Sequence, residues 1–267
     1  MKKNKFQLFE WFAIIILFLV TGFIVICLGT LIIGGFSALR ESLFSEEIRF
    51  SITLSLVTAT LSTLICIFLA IPCSYILARK DFIGKKYVAT ILSVPLSLPY
   101  IVLGLALLIV FSSEIGHILK DLGFKVVFDT TGIVFAQIIV NLPFVIKLIT
   151  EAFCQIDPKL EFMAETLGAN SWKRFTTITL GLSKKSIIST GMLAWSRGLG
   201  EFGATLMLVG VTRMVTETLP GSIFLNISIG DNDMAMASAT ILIVIAMTTL
   251  VVTDAINNKA FTIRRRR

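Results

Sequence analysis

Two charged residues lie four positions apart in a segment that is otherwise apolar and rich in glycine: Arg197 and Glu201. Residues i and i+4 share one face of a helix, so we expect the two side chains to form an ion pair. Charges inside a membrane are costly, and they usually pair, face the interior of a helix bundle or line water. The segment therefore predicts either a packing seam with a structural ion pair or part of a path through the membrane.

Three nearby glycines and two prolines also fit either close helix packing or a path through the membrane. Because they carry no side-chain bulk, Gly198, Gly200 and Gly203 allow another helix to approach closely. Pro95 and Pro99 interrupt a second apolar segment twice, since proline removes a helical hydrogen bond. A twice-interrupted helix does not seal simply against lipid, so we expect this segment to lie inside the bundle.

A polar block at 147–186 offers a surface for another protein. Asp157 can cap a helix that begins at Pro158, and four apolar residues then share one helical face: Leu160, Met163, Ala164 and Leu167. Gly168 is a suitable stop for this helix, and Asn170 can start a second short one. The block is either a docking helix for a soluble partner or a hairpin on the membrane surface. Its flanking apolar segments argue against a DNA-binding helix-turn-helix.

No group of residues suggests catalysis, a metal site or a cofactor. The chain has one histidine, His117, and four cysteines without metal-ligand spacing. It contains no Ser/His/Asp set, Walker loop or glycine-rich nucleotide turn. We therefore expect no catalytic residue, metal or cofactor, and any uphill transport would draw its energy from another protein.

Composition predicts an all-α integral membrane protein with a single domain over residues 1–267. The mean hydropathy is +0.90 and only 15% of residues are charged, which is unusual for a soluble domain. A spanning helix needs about 20 mostly apolar residues, and six stretches qualify: 11–36, 50–78, 88–111, 132–150, 187–210 and 234–256. The first stretch is too long for a signal peptide and lacks a cleavage pattern, so we interpret it as a retained span.

The distribution of Lys and Arg between these spans predicts their orientation. One side, which includes the loop at 151–186, holds 18 of the 24 basic residues, and the other side holds five. Because basic loops face the cytoplasm, we expect both termini and this loop to be cytoplasmic in a cell membrane. The tail of Arg264–Arg267 is expected to lie against anionic lipid headgroups. The net charge of +7 is then a topology signal, and we expect no nucleic-acid partner.

The polar block resembles the signature loop of ABC-importer permeases, whose usual form is Glu-Ala-Ala-x3-Gly-x9-Ile-x-Leu-Pro. Four residues match at that spacing: Ala164, Gly168, Ile178 and Leu180. Three residues depart from it, in place of the Glu, the first Ala and the Pro: Phe162, Met163 and Gly181. The resemblance implies a type I importer fold of six transmembrane helices, in which this loop couples the membrane domain to an ATPase.

The run Arg-Gly-Leu-Gly-Glu-Phe-Gly-Ala at 197–204 is similar to permeases of molybdate/tungstate importers, to which sulfate permeases are related. The resemblance covers about residues 50–256. It implies a homodimer, two cytoplasmic ATPase subunits and an external oxyanion-binding protein that sets most of the substrate choice. The anion path, its gate or the helix packing around it would then be formed by Pro95, Pro99 and the 197–203 run. We expect Arg197 to hold Glu201 away from the anion.

Three other interpretations of the chain are open. A related ABC importer would carry sulfate or another small solute. An ion-coupled carrier or channel would transport without ATPase subunits, and more intramembrane acids than Glu201 would be expected. A membrane-bound enzyme would need a catalytic cluster, which the sequence does not offer.

Labelling of single cysteines tests the predicted orientation. In a background without the four native cysteines, Ser113→Cys and Asp231→Cys should react with a membrane-impermeant maleimide from outside, since their loops lie on the weakly basic side. Lys173→Cys should react only after permeabilisation. Labelling of Lys173→Cys in intact cells would overturn the orientation.

Overall fold

Every regular element that the computed structural model describes, over residues 8–264, is helical, which confirms the all-α prediction. The α-helices in chain order are α1 (Leu8–Phe44), α2 (Glu46–Arg79), α3 (Lys85–Ser93), α4 (Tyr100–Phe111), α5 (Glu114–Asp121), α6 (Thr130–Cys154), α7 (Pro158–Thr166), α8 (Ser171–Arg174), α9 (Leu180–Leu199), α10 (Gly203–Val209), α11 (Leu219–Ser228) and α12 (Asn232–Arg264). A 3-10 turn at Val94–Leu96 follows α3, and a π-helical turn at Phe175–Thr179 joins α8 to α9. Lys2, Lys3, Lys5 and Arg265–Arg267, which contribute to the predicted orientation, lie outside the described residues.

Four of these helices are long and apolar enough to cross a membrane: α1, α2, α6 and α12. A fifth span results if α3, its 3-10 turn and α4 are taken together, although the two halves are bent by 109°. The predicted span at 187–210 is divided between α9 and α10, because the helix ends at Leu199 and resumes at Gly203. The membrane character is therefore confirmed, whereas the count of six continuous spans is not.

The bend between α3 and α4 occurs at the two prolines that the sequence singled out. Pro95 lies in the 3-10 turn, and Pro99 immediately precedes α4 with an extended ψ of 136°. The Pro99 carbonyl then accepts the Val102 N–H at 2.9 Å and opens the new helix. The predicted interruption is present, and it redirects the chain instead of producing a mild kink. The expected position inside the bundle is wrong for the single chain, because Pro99 is exposed and neither α3 nor the 3-10 turn has a buried residue.

Two apolar clusters hold the bundle together around α6. One joins α2, α6 and α9 through Cys66, Ala70, Val145, Ile149, Phe153 and Ala194. The other joins α4, α6 and α10 through Leu103, Ile133, Ala136, Ala204 and Leu208. Since α6 takes part in both clusters, it is the central element against which the broken segments pack.

Small polar side chains line the contact between α2 and α6. Gln137, in the middle of α6, is almost fully buried. Its amide oxygen accepts the Ser62 hydroxyl at 2.8 Å, and its Nε2 donates to the Gly198 carbonyl at 3.0 Å. Apolar lipid provides no hydrophobic drive between helices, so close packing and hydrogen bonds of this kind hold such bundles. Gln137 thereby joins α2, α6 and α9 at one level.

The connecting segments separate into two groups at opposite ends of the bundle. Arg79, at the end of α2, contacts α7, so the loops after α2 and α6 share one end. Arg213 forms an ion pair with Glu47 at the start of α2, and the Phe128 N–H donates to the Leu208 carbonyl at 3.4 Å. The 112–129 and 210–218 segments therefore share the other end. The charge analysis groups these segments in the same way, and which end faces the cytoplasm stays a prediction.

Candidate functional site

The α7 helix presents an exposed apolar face at one end of the bundle. Its first turn is capped as predicted, because the Asp157 carboxylate accepts the Lys159 N–H at 2.9 Å. Met163 is 59% exposed and Leu167 is 87% exposed, and Leu160 is also exposed, whereas Ala164 is partly buried. Within the described residues this face has no apolar partner.

Gly168 ends this helical segment in the conformation expected of a glycine stop. Its φ is +84°, and the Ala169 N–H donates to the Ala164 carbonyl at 3.0 Å. A Cβ atom at Gly168 would meet nothing within 4 Å. The requirement for glycine is therefore the left-handed backbone and not a lack of space.

Ile178 and Leu180 do not lie on the exposed face of α7. Ile178 is partly buried in the π-helical turn, and Leu180 packs against the apolar cluster that joins α2, α6 and α9. Phe175 packs against the same cluster and meets Tyr75 edge to face, with ring centroids 4.8 Å apart. The second half of the signature loop thus attaches the exposed helix to the membrane bundle.

A buried ion pair makes the strongest attachment of α7 to the bundle. The Arg79 Nε donates to Glu161 Oε1 at 2.7 Å, and the two side chains are only 8% and 11% exposed. The Thr179 hydroxyl donates to the same carboxylate oxygen at 2.6 Å, and Arg79 Nη2 donates to the Ile156 carbonyl at 3.0 Å. This one pair links the end of α2, the segment after α6, α7 and the turn before α9.

Sequence reasoning missed this pair. Glu161 stands one position before the residue that matches the usual signature glutamate, and Arg79 is 82 residues away. The available signal was an acid next to the predicted docking face and a basic residue at the end of a span. Glu165, the other nearby acid, instead forms an ion pair with Arg174 at the surface.

The predicted ion pair between Arg197 and Glu201 is wrong. Because α9 ends at Leu199, the two residues do not occupy one continuous helix. The buried Glu201 carboxylate accepts the N–H groups of Ala204 at 2.7 Å and Thr205 at 3.2 Å, together with the Thr205 hydroxyl. Glu201 thus satisfies the free N–H groups at the start of α10.

Arg197 is held by uncharged groups from two other segments. Its Nε donates to the Asn141 Oδ1 atom at 3.3 Å, and its Nη2 donates to the Tyr100 hydroxyl at 2.7 Å. The guanidinium carbon lies 4.5 Å from the centre of the Phe144 ring. The arginine therefore joins the bent segment, α6 and α9 at the point where two of them are interrupted.

Two of the three predicted glycines lie at close helix contacts. A Cβ atom on Gly203 would lie 3.2 Å from Tyr100 Cβ, and one on Gly198 would lie 3.3 Å from Asn141 Nδ2. Gly200 is exposed, and a Cβ there would meet only backbone of its own turn, no nearer than 3.8 Å. The packing prediction therefore fits Gly198 and Gly203 but not Gly200.

A third carboxylate, after those of Glu161 and Glu201, is buried in the loop before α11. Glu217 has no exposed surface, and its Oε2 accepts the Met214 N–H at 3.3 Å. Burial raises the pKa of Glu217, since the charged form loses its hydration. Next to it, Arg213 pairs with Glu47 and donates to Asn226 Oδ1 at 2.8 Å. These contacts anchor the 210–218 loop to the start of α2.

The described residues contain no group of three or more His, Cys, Asp or Glu side chains arranged to hold a metal ion. The arrangement instead combines an exposed apolar helix, a buried ion pair that links this helix to the bundle, and a group of interrupted segments around Arg197.

Comparison with protein families gives a match over residues 70–259 to the family described as "Binding-protein-dependent transport system inner membrane component". The chain is similar to the "Molybdate/tungstate transport system permease protein WtpB" of Thermococcus kodakarensis, with 39% identity over 58% of each chain. It is also similar to the "Molybdenum transport system permease protein ModB" of Mycobacterium bovis, with 36% identity over 73% of this chain and 75% of the relative. The match to the Thermococcus protein thus spans less than two thirds of that relative's length.

Among solved structures, a chain of the bacterial alginate ABC transporter in complex with a periplasmic protein has a similar fold. The TM-score is 0.74 and the superposition covers 94% of this chain and 93% of that chain. Since the sequences are only 21% identical, this likeness concerns the fold alone.

The buried ion pair can be tested by comparison with the surface pair. Glu161→Gln should lower the free energy of unfolding by about 3–5 kcal/mol, because it leaves Arg79 without its carboxylate in a largely buried position. Adding Arg79→Gln should recover part of this loss. The control is Glu165→Gln, which removes a carboxylate that is 55% exposed from its pair with Arg174 and should cost less than Glu161→Gln, because water screens the exposed carboxylate.

The measurement is unfolding of the purified protein in detergent for the single and double variants. Equal, small losses for Glu161→Gln and Glu165→Gln would contradict the assignment of Arg79–Glu161 as the main link.

Proposed function

Because this chain belongs to the family of binding-protein-dependent transport system inner membrane components, we propose that it is the permease subunit of an ATP-driven oxyanion importer. The proposed substrate is molybdate or tungstate, because the relative at 39% identity is named for molybdate/tungstate transport and the relative at 36% identity for molybdenum transport. The observation that carries the proposal is an exposed apolar helix fixed to the membrane bundle by a buried ion pair. Such a helix suits the transfer of motion from a soluble motor.

The docking surface consists of the exposed face of α7, and its proposed partner is a cytoplasmic ATPase subunit. Large apolar side chains such as Met163 and Leu167 at the polar end of a membrane protein are suited to filling a groove in a soluble protein. Ala164 adds little side-chain bulk to this face, and Gly168 ends the helical segment through its positive φ. Ile178 and Leu180 contribute indirectly, since they pack the returning chain onto the bundle.

Motion of α7 would reach the membrane through Arg79 and Glu161. When ATP closes the partner subunits, two copies of α7 would be drawn together. The ion pair and the Thr179 hydrogen bond make α2, the end of α6 and the start of α9 move with it. The bundle would then turn from an inward-open to an outward-open state, and ATP hydrolysis would reset it.

The proposed assembly contains two copies of this chain, two ATPase subunits and an external oxyanion-binding protein. The fold supports this proposal, since a similar chain occurs in an ABC transporter bound to a periplasmic protein. ATP hydrolysis is assigned to the partner subunits, because the sequence offers no Walker loop or glycine-rich nucleotide turn. Both termini and α7 are assigned to the cytoplasmic face on the basis of the basic residues.

The proposed path runs beside the interrupted segments. Pro95 and Pro99 turn the chain between α3 and α4, and Glu201 stabilises the start of α10 after the break at Gly200. Gly198 and Gly203 bring α9 and α10 against α6 and α4. Interrupted helices are tolerated at membrane depth where they are buried in protein or line a water-filled cavity. These segments are therefore assigned to the path and its gate.

Reconstitution tests the function directly. Vesicles that contain this chain and its ATPase subunits, with loaded binding protein outside, should accumulate molybdate or tungstate only when ATP is inside. Preferential uptake of sulfate would redirect the proposal to a related importer. Uptake without the ATPase subunits, driven by an ion gradient, would refute it in favour of a secondary carrier.

Substitutions on α7 test the docking surface. Met163→Asp or Leu167→Asp should detach or uncouple the ATPase, because each buries a charge without a partner at the interface. The matched control is Thr166→Asp, which adds the same charge at an exposed residue outside the apolar face. The measurements are copurification of the ATPase and its stimulation by loaded binding protein. Wild-type behaviour of both face variants would exclude α7 as the docking element.

A further inference from the structure

Arg197 lacks an acidic partner, although it lies in a segment that the proposed function places in the membrane. Its hydrogen-bond partners are an amide oxygen and a phenol hydroxyl, and its ring contact is a phenylalanine. Glu201, the acid nearest in sequence, uses its carboxylate at the start of α10. Among the described residues no carboxylate lies within 4.0 Å of this guanidinium. The site therefore carries a positive charge that no described carboxylate neutralises.

The guanidinium is held by two hydrogen bonds, and its Nη1 donors are unused among the described residues. Asn141 is fully buried and uses both ends of its amide: Oδ1 accepts from Arg197 Nε, and Nδ2 donates to the Ala194 carbonyl at 3.3 Å. Tyr100 holds Nη2 from the other side. The two N–H groups of Nη1 have no acceptor in the described part of the chain. One side of the arginine is thus fixed while the other can bind a ligand.

The open side of this group is accessible in the single chain. Arg197 is only partly buried, and Tyr100 is 38% exposed. A charged side chain and a phenol hydroxyl are poorly suited to hydrocarbon, so this surface is expected to face water or protein. In the proposed homodimer, water or a second copy would cover it, and two copies would bring two such charges together.

From this geometry we infer that Arg197, positioned by Asn141, Tyr100 and Phe144, is an anion-binding residue inside the membrane that contacts a tetrahedral oxyanion through Nη1. The inference rests on the proposed function and specifies its substrate contact. It replaces the expectation that Arg197 serves to hold Glu201. Guanidinium groups suit oxygen-rich anions because their planar N–H donors match the spacing of the oxygens.

A single fixed guanidinium recognises charge and oxygen donors but does not measure the size of the anion. Molybdate, tungstate and sulfate should therefore depend on Arg197 to the same degree. Selection between them would take place before the anion reaches the membrane, in the external binding protein.

The test is anion-dependent thermal stability of the complete purified complex, with permease and ATPase subunits together. Sodium molybdate and sodium sulfate are compared with sodium chloride at matched ionic strength, for the wild type, Arg197→Gln, Arg197→Lys and Arg49→Gln. The Arg49 variant is the control, since it removes the same charge from an exposed residue near the start of α2. Unfolding without oxyanion reports on whether each variant is folded.

In the wild type and Arg49→Gln, both oxyanions should raise the Tm in a saturable way. Arg197→Gln should weaken the apparent affinity for both anions about 10- to 100-fold, which corresponds to the loss of a charge-assisted hydrogen bond. Arg197→Lys, which keeps the charge, should be affected less. If Arg197→Gln responds like the wild type, or if the wild type shows no oxyanion-specific shift, the inference is wrong.

Uptake into vesicles by the wild-type complex decides the proposed function separately. A complex that binds oxyanions through Arg197 but does not accumulate them would refute ATP-driven import and retain the binding site. A complex that accumulates molybdate equally well with Arg197→Gln would retain the function and refute the site.

Discussion

The buried contact between Arg79 and Glu161 is the constraint on which the rest of the arrangement depends. A carboxylate and a guanidinium that are both about nine-tenths buried are strongly tied to each other, since either would be costly to leave unpaired. Through Thr179 and the Ile156 carbonyl, the pair reaches the elements on either side of α7. The exposed face is thereby tied to the end of α2, the segment after α6 and the turn before α9.

The breaks in the membrane helices are stabilised by local polar groups and not by lipid. After α9 ends, Glu201 caps the start of α10, and the Gly198 carbonyl accepts from Gln137. After α3 ends, Pro99 needs no N–H partner, and Tyr100 forms a hydrogen bond with Arg197. Each break therefore brings a polar group into contact with α6 or its neighbours.

Local signals in the sequence predicted the start and end of α7, whereas contacts between distant residues were not predictable. Asp157, Pro158 and Gly168 act within one or two turns, so their roles could be read from spacing alone. The Arg197–Glu201 pair failed because spacing of i and i+4 has meaning only within an uninterrupted helix. Pro95 and Pro99 indicated an interruption, but its angle of 109° depends on how α4 packs against α10. Arg79 and Glu161 meet only because the bundle folds, which composition and periodicity do not encode.

The position of α1 has a consequence for how the protein is made. Its most apolar stretch has no buried residue, and α1 packs mainly against α12, where the Thr240 hydroxyl donates to the Leu31 carbonyl, 209 residues earlier in the chain. A Cβ atom on Gly35 would lie 2.5 Å from the Met236 carbonyl oxygen, so the two helices fit closely. During synthesis α1 must therefore remain in the bilayer without this neighbour until the ribosome has produced α12. The long apolar stretch of α1 is compatible with lipid on all sides during this time, so closure of the bundle becomes a late step in biogenesis.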